Sequence, residues 1–314
     1  MKAALFSNPL SRYNRVHAGL VSACAKPLGL AEYVMDDATL NNLWALDDML
    51  ARHADTGGDT LIINGGDGTL DLIIARLRGA RFATWQPEMI LLRSGTTSMT
   101  HRDVGYGRDP AEALAGAMRR DTPWTKTARD VMRLSGDSIS SPQYGFFFGT
   151  HALVRAIRHA RHTLHTRGMH GALGEALLFA TTLGALLRGK AHGHPILNPA
   201  ALSYTRHGTA HSAQHIFFIA TTLKTLVLGM RAAKPQAGEL GCISIVSPTH
   251  GLWRQVPSLW RGAPHQSTGP ILRWCDKSLT LTLTSEVTLD GELFNTTNET
   301  PLTLAIDSPV TFLT

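Results

Sequence analysis

The segment Leu61-Ile62-Ile63-Asn64-Gly65-Gly66-Asp67-Gly68-Thr69-Leu70 constrains this chain more than any other. Thr60–Ile63 reads as a buried strand, and Leu70–Leu77 has the spacing of a helix. Between them stand two adjacent glycines, an acid, a third glycine and a hydroxyl residue. Glycine lets the backbone turn tightly and brings its N–H groups close to phosphate oxygens. The following helix points its positive end at the same place. The turn reads as a phosphate-binding corner, with Asp67 placed to hold a magnesium ion or to handle the proton of an attacking hydroxyl. The plainer reading is a strand–turn–helix corner that uses glycine for geometry alone.

Around this corner, strand-like and helix-like pieces alternate. Lys2–Phe6 is a short apolar run, followed by helical spacing over Arg15–Leu28. Ala31–Met35 precedes a second helical stretch over Leu40–His53, and Met89–Leu92 repeats the strand-then-turn pattern, ending at Ser94-Gly95-Thr96. Pro110–Arg119 makes a further helix. Such β-α-β-α order predicts a parallel sheet with helices on its faces.

After about Thr127 the pattern changes. Leu279, Leu281 and Leu283 alternate with Thr280, Thr282 and Thr284, the period of a half-buried strand. Gly145–Phe148, Ile216–Ala220, Ile243–Val246, Leu302–Ile306 and Val310–Leu313 are also strand-like, and a helical insertion runs from about His151 to Arg188. The expectation is an α/β chain of two domains, 1–127 and 128–314, the second β-rich, with a cleft between them.

Several motifs in matching order resemble the superfamily that joins diacylglycerol kinases, sphingosine and ceramide kinases, and NAD kinases. The corner is similar to its GGDGT signature. Ser7-Asn8-Pro9-Leu10-Ser11 resembles the N-terminal Asn-Pro turn, with Arg12 where glycine is usual. Arg93-Ser94-Gly95-Thr96-Thr97-Ser98 resembles the second glycine turn, but Ser98-Met99 replaces its Asn-Asp. Asp71-Leu72 likewise replaces a common Asn-Glu. Leu289-Asp290-Gly291-Glu292 resembles the Asp-Gly-Glu of bacterial lipid kinases, an arrangement that NAD kinases lack, although Asp-Gly is also a strong hairpin signal. Ala237 stands where bacterial members carry the aspartate of a structural magnesium loop, which leaves Glu239 as the nearby acid.

The resemblance implies an N-terminal doubly wound nucleotide-binding domain and a C-terminal β-sandwich domain with a helical insertion. It implies ATP as donor, Mg2+ as cofactor and a lipid alcohol such as diacylglycerol as acceptor. By matching position, Asn8, Pro9, Ser11, Gly65, Gly66, Asp67, Gly68, Thr69, Gly95 and Thr96 would hold the nucleotide. Asp67, Asp130 and Glu292 would form the acidic centre, with Glu292 as base, Asp290 beside it and Asp67 on the catalytic magnesium. Asp103 is an acid close to the altered second turn. Phosphoryl transfer needs these types: positioned phosphates, a metal and an acceptor for the hydroxyl proton. Two other readings stand beside this one: a kinase of another small alcohol, as in NAD kinases, and a catalytically weak nucleotide or lipid sensor.

Charge narrows the partners. The formal net charge is +6, with 15 histidines uncounted. Arg155, Arg158, Arg161, Arg167, Arg188 and Lys190 share one segment with several histidines. Arg155, Arg158, His162 and His165 recur at helical intervals, a face suited to an anionic membrane or simply to water. Basic residues without interleaved aromatics speak against nucleic acid. The three scattered cysteines suit reduced thiols, and Met1–Phe6 is too short for a signal h-region. The expected location is cytoplasmic, peripheral at the inner membrane face; a homodimer is left open.

Overall fold

The computed structural model describes residues 1–96, 98–120, 122–167, 194–206, 208–226, 230–233, 235–249, 251–255, 257–258, 268–296 and 300–314, with backbone alone at 160–167 and 253. The chain divides into two units, Met1–Val131 with Ser308–Thr314, and Met132–Asp307.

The first unit runs β1 (Ala3–Ser7), α1 (Arg12–Val16), α2 (Leu20–Ala25), β2 (Ala31–Val34), α3 (Asp37–Asn41), α4 (Leu43–Asp55), β3 (Thr60–Gly65), α5 (Asp67–Leu77), β4 (Glu88–Arg93), α6 (Met99–Val104) and α7 (Pro110–Met118). The sheet is parallel in the order β2-β1-β3-β4, with Leu5 opposite Ile62 and Ile62 opposite Ile90. Strands covered on both faces must be apolar throughout, and Leu61, Ile62, Ile63, Met89 and Ile90 are all fully buried. Leu5, Ile62, Ile90 and Leu92 pack on one face with Val21 of α2 and Leu114 of α7. α4 and α5 bury Leu46, Leu50, Ile73 and Ile74.

Local chemistry sets the helix ends. The predicted helix over Arg15–Leu28 is broken at Gly19, whose φ of +72° lies in the left-handed region that glycine enters freely. α5 begins at Asp67, a turn earlier than the apolar spacing alone suggests, because Gly66 is an extended N-cap.

The second unit is antiparallel. Its strands are the later part of β5 (Lys126–Gly136), then β6 (Gln143–Gly145), β7 (Phe147–Thr150), β8 (Ala200–Arg206), β9 (Thr209–Thr221), β10 (Leu240–Val246), β11 (Ile271–Asp276), β12 (Ser278–Thr282), β13 (Val287–Leu289), β14 (Glu292–Phe294) and the first part of β15 (Leu302–Leu313). They pair in the order β14-β13-β7-β9-β8-β12-β15, with β10 joining β9 to β11. The core holds Phe148, Tyr204, Phe218, Trp274, Leu302 and Leu304. It includes the alternating Leu279, Leu281 and Leu283, while Thr280 faces out.

One helix, α8 (Ala152–Arg167), follows β7. It is the first part of the insertion expected over His151–Arg188; residues 168–193 lie outside the described residues. Among the described residues, no helix is long and apolar enough to cross a membrane.

The chain's end differs from the sequence-based division at 127/128. Leu302–Ile306 and Val310–Leu313 form one strand, β15. Leu302 and Leu304 pair with Leu281 and Leu279 of the second unit. Phe312 lies parallel to Met89, and Thr314 exchanges backbone hydrogen bonds with Thr125, so Ser308–Thr314 belongs to the first unit. Apolar alternation marks these residues as a strand but does not say whose neighbour the strand becomes.

Candidate active site

Three loops leave the carboxyl ends of β1, β3 and β4, where open α/β sheets bind ligands. Asparagine side chains tie them together. Asn8, after β1, donates from Nδ2 to Thr69 Oγ1 at 2.9 Å and accepts on Oδ1 from Leu10 N at 2.9 Å. Asn14 donates to the carbonyls of Asn8 and Asn64 at 2.7 and 3.3 Å. Asn64 donates to Ser7 Oγ at 2.8 Å and accepts from the Ser94 hydroxyl. Asn14 carries no signal in the sequence as part of the site, and Ser94 is marked only as a member of the second glycine turn, because their shared partner Asn64 is distant in the chain.

The two glycine turns touch. A Cβ on Gly95 would stand 2.7 Å from Gly66 Cα, and one on Gly66 would stand 3.2 Å from Gly95 Cα. A Cβ on Gly65 would strike Thr69 at 2.5 Å. Glycine is therefore required here by close packing; none of the three residues has the positive φ that glycine alone enters freely.

Asp67 joins the same turns. Its Oδ2 accepts from Met99 N at 3.0 Å and its Oδ1 from Thr100 N at 3.2 Å, at the start of α6. The side chain is buried. Burial pushes its carboxyl pKa up, and the two backbone N–H donors pull against that rise. Met99 stands at the acidic position of the resembled second turn; its side chain is buried and its backbone N–H serves Asp67.

The donor set suits a nucleotide's phosphates. The first N–H groups of α5, at Asp67 and Gly68, have no intrahelical acceptor. Ser11 Oγ and Ser98 Oγ are buried without a hydrogen-bond partner among the described residues. Pro9, Gly68 and Thr96 are exposed on the turns' outer side. A cavity of about 200 Å3 opens at the ends of β1 and β2, lined by Ser7, Pro9, Asn14, Arg15, Val34 and Asn64 among others. A magnesium ion commonly binds one or two carboxylates plus substrate phosphates. Asp67, whose oxygens each have a second lone pair, fits that pattern.

Of the other acids, Asp103 is held by Arg129 through Nε–Oδ2 at 2.7 Å, both side chains nearly buried. Asp130 is half-buried in β5 of the first unit. In the second unit, Glu239 Oε2 accepts from Gln236 N at 2.9 Å and so closes its own loop. Among the described residues, no three His, Cys, Asp or Glu gather as a metal cluster.

Asp290-Gly291 is the two-residue turn of the β13–β14 hairpin, with φ of +47° and +96° and Leu289 paired to Glu292. Both positive φ values are what a tight primed turn requires. Asp290 Oδ2 accepts from Phe146 N at 2.6 Å, which ties the hairpin to the residue before β7. Glu292 is exposed at the start of β14. The hairpin reading and the placement of an acid at its tip thus coincide.

The basic face of α8 is engaged at its start. Arg155 donates to the carbonyls of Ile196 and Asn198, and Arg158 pairs with Glu286. The side chains of Arg161, His162, His165 and Arg167, and all of Arg188 and Lys190, lie outside the described residues.

One unit is a parallel sheet with glycine turns at its strand ends and the other is antiparallel with an acidic hairpin, which together define a two-unit α/β protein. Residues 2–129 match the family model of the diacylglycerol kinase catalytic domain. Three solved structures from Bacillus anthracis str. Sterne, each named with the words diacylglycerol kinase, share the fold over 99% of this chain and 96% of their own. Their TM-scores are 0.66, 0.64 and 0.60, at sequence identities of 16, 16 and 14%. A search of curated proteins gives no match.

Proposed function

We propose that the protein transfers the γ-phosphate of ATP to the hydroxyl of a lipid such as diacylglycerol. The observation that carries this reading is the contact of Gly66 with Gly95 beside the Asp67 clasp, which gathers unpartnered hydroxyls and helix N–H groups into one anion-seeking corner. Asn8, Pro9, Ser11, Gly65 to Thr69, Gly95 and Thr96 surround the nucleotide, with the cavity beside Val34 taking its base. Bound at Asp67, Mg2+ would offset charge on the phosphates. Glu292 accepts the proton of the attacking hydroxyl, Asp290 fixes the turn that presents it, and Asp130 completes the acidic centre. The lipid enters from an anionic membrane surface on the cytoplasmic side.

A weakly catalytic sensor has one observation in its favour: Asp103, the acid nearest in sequence to the altered second turn, is committed to Arg129. The test is incubation of the full chain with labelled ATP, Mg2+ and a panel of lipids and small alcohols, read by mass spectrometry. Phosphorylated diacylglycerol or a related lipid is expected. Product from a water-soluble alcohol alone, or ATP binding with no product, would replace this reading.

A further inference from the structure

The second unit contains a cavity of about 280 Å3 between the first turns of α8 and the residues flanking the β13–β14 hairpin. His151, Arg155, Arg158, Ser285, Glu286 and Asn295 line it. His151 is 2% exposed, and its Nδ1 lies 3.2 Å from Ser285 Oγ. Its Nε2 has no hydrogen-bond partner among the described residues. The backbone there holds φ at +52°, a left-handed conformation disfavoured for a side chain of this size. An unpaired buried nitrogen and a strained backbone at one cavity-lining residue are features that concentrate at ligand sites.

The surrounding charges say which ligand. Burial keeps the His151 ring neutral, its pKa brought down to about 4 with help from nearby His215 and Arg155. The single Ser285 hydroxyl proton has two acceptors in reach, His151 Nδ1 at 3.2 Å and the Glu286 carbonyl at 3.4 Å; given to the nearer Nδ1, it leaves Nε2–H as a neutral donor. Arg155 is anchored on the carbonyls of Ile196 and Asn198 through Nε and one terminal nitrogen, which leaves N–H groups on the other. Arg158, three residues on, shares its helix face and pairs with Glu286. Two guanidinium groups against one carboxylate leave positive charge in excess, and a guanidinium is a strong donor to phosphate.

We infer that this cavity binds a phosphate-bearing anion, held by Arg155, Arg158 and His151 Nε2–H, with Glu286 occupying Arg158 until the anion arrives. The same chemistry is offered by a phospholipid headgroup and by free phosphate. The site is distinct from the acceptor position under the kinase reading. Asn295 lies roughly 10 Å along β14 from Glu292, at about 3.3 Å per residue. The inference does not depend on that reading, since its test measures binding alone.

The full chain would be titrated calorimetrically with inorganic phosphate, and sedimented with phosphatidylglycerol or phosphatidylcholine vesicles. Arg158→Gln should weaken binding about tenfold, the scale of one charge-assisted contact. Glu286→Gln should tighten it, and Lys277→Gln, a charge change outside the cavity, should leave it unchanged. Both test residues are partly or fully exposed, so the fold should survive; unaltered melting curves check this. Binding of phosphate in this pattern supports a soluble anion, and the pattern confined to phosphatidylglycerol vesicles supports a headgroup. No binding of either probe, or equal loss in Arg158→Gln and Lys277→Gln, overturns the inference.

Discussion

Gly95 and Gly66 meet backbone to backbone: a Cβ on Gly95 would come within 2.7 Å of Gly66 Cα, and also within 3.1 Å of Ser98 Oγ. The reverse substitution is milder, at 3.2 Å from Gly95 Cα. Overpacking of this kind typically costs about 1–3 kcal/mol. Gly95→Ala should therefore weaken ATP binding more than Gly66→Ala, by about tenfold or more, and lower the urea midpoint further. Fluorescent-nucleotide titration of both variants checks the ranking. Equal binding by Gly95→Ala and the parent chain would remove this contact from nucleotide recognition.

Asp67 should act through acceptor geometry as well as charge. Burial already disfavours its ionised form, while both of its oxygens serve backbone N–H groups of α6. Asparagine keeps one acceptor and turns an NH2 group toward the other N–H. Leaving one buried donor unsatisfied costs about 1–3 kcal/mol. Asp67→Asn should show that loss in chemical denaturation, and kinase turnover should fall by about 10²–10⁴-fold, beyond what the stability loss explains. Unchanged turnover at full saturation would take Asp67 out of the reaction.

Under the proposed function, variants of the β13–β14 turn separate presentation of Glu292 from folding. Asp290→Asn keeps a residue type that tolerates positive φ and retains an acceptor for Phe146 N. Asp290→Ala loses both, at about 1–3 kcal/mol for the orphaned N–H. Glu292→Gln is exposed and should be neutral for stability, yet slow turnover by about 10²–10⁴-fold as loss of a general base does. Parallel denaturation and kinetic measurements distinguish the three. A fully active Glu292→Gln protein would refute the assignment of the base.

Acid should loosen the second unit through its two buried histidines. His151 and His215 both have pKa values brought down to about 4 by burial. His215 lies fully buried, with Nδ1 2.6 Å from Ser244 Oγ. A folded pKa below the unfolded value of about 6.5 means that the unfolded chain binds protons first as pH falls. The stabilisation is complete above about pH 6.5 and is lost between there and about pH 4, by on the order of 3 kcal/mol per histidine. Urea midpoints measured at pH 7 and pH 5 should show the drop, and His151→Asn should reduce it. A pH-independent midpoint across this window would contradict the buried neutral state.

The sequence by itself determined the elements whose cause is local. The glycine run marked the corner at Gly65–Gly68, apolar runs marked β3 and β4, and Asp290-Gly291 specified a hairpin. These depend on backbone preferences and on periods spanning a few residues. Tertiary structure alone decided which distant groups those elements meet. That Asp67 clasps α6, that Gly66 packs on Gly95, that Asp103 is held by Arg129 and that Arg155 turns onto the carbonyls of Ile196 and Asn198 all depend on partners far along the chain. The same holds for Phe312 beside Met89, which returns the chain's end to the first unit. A strand's alternation says which side is buried, but its neighbour is chosen by the packing of the whole sheet, and no single segment encodes that choice.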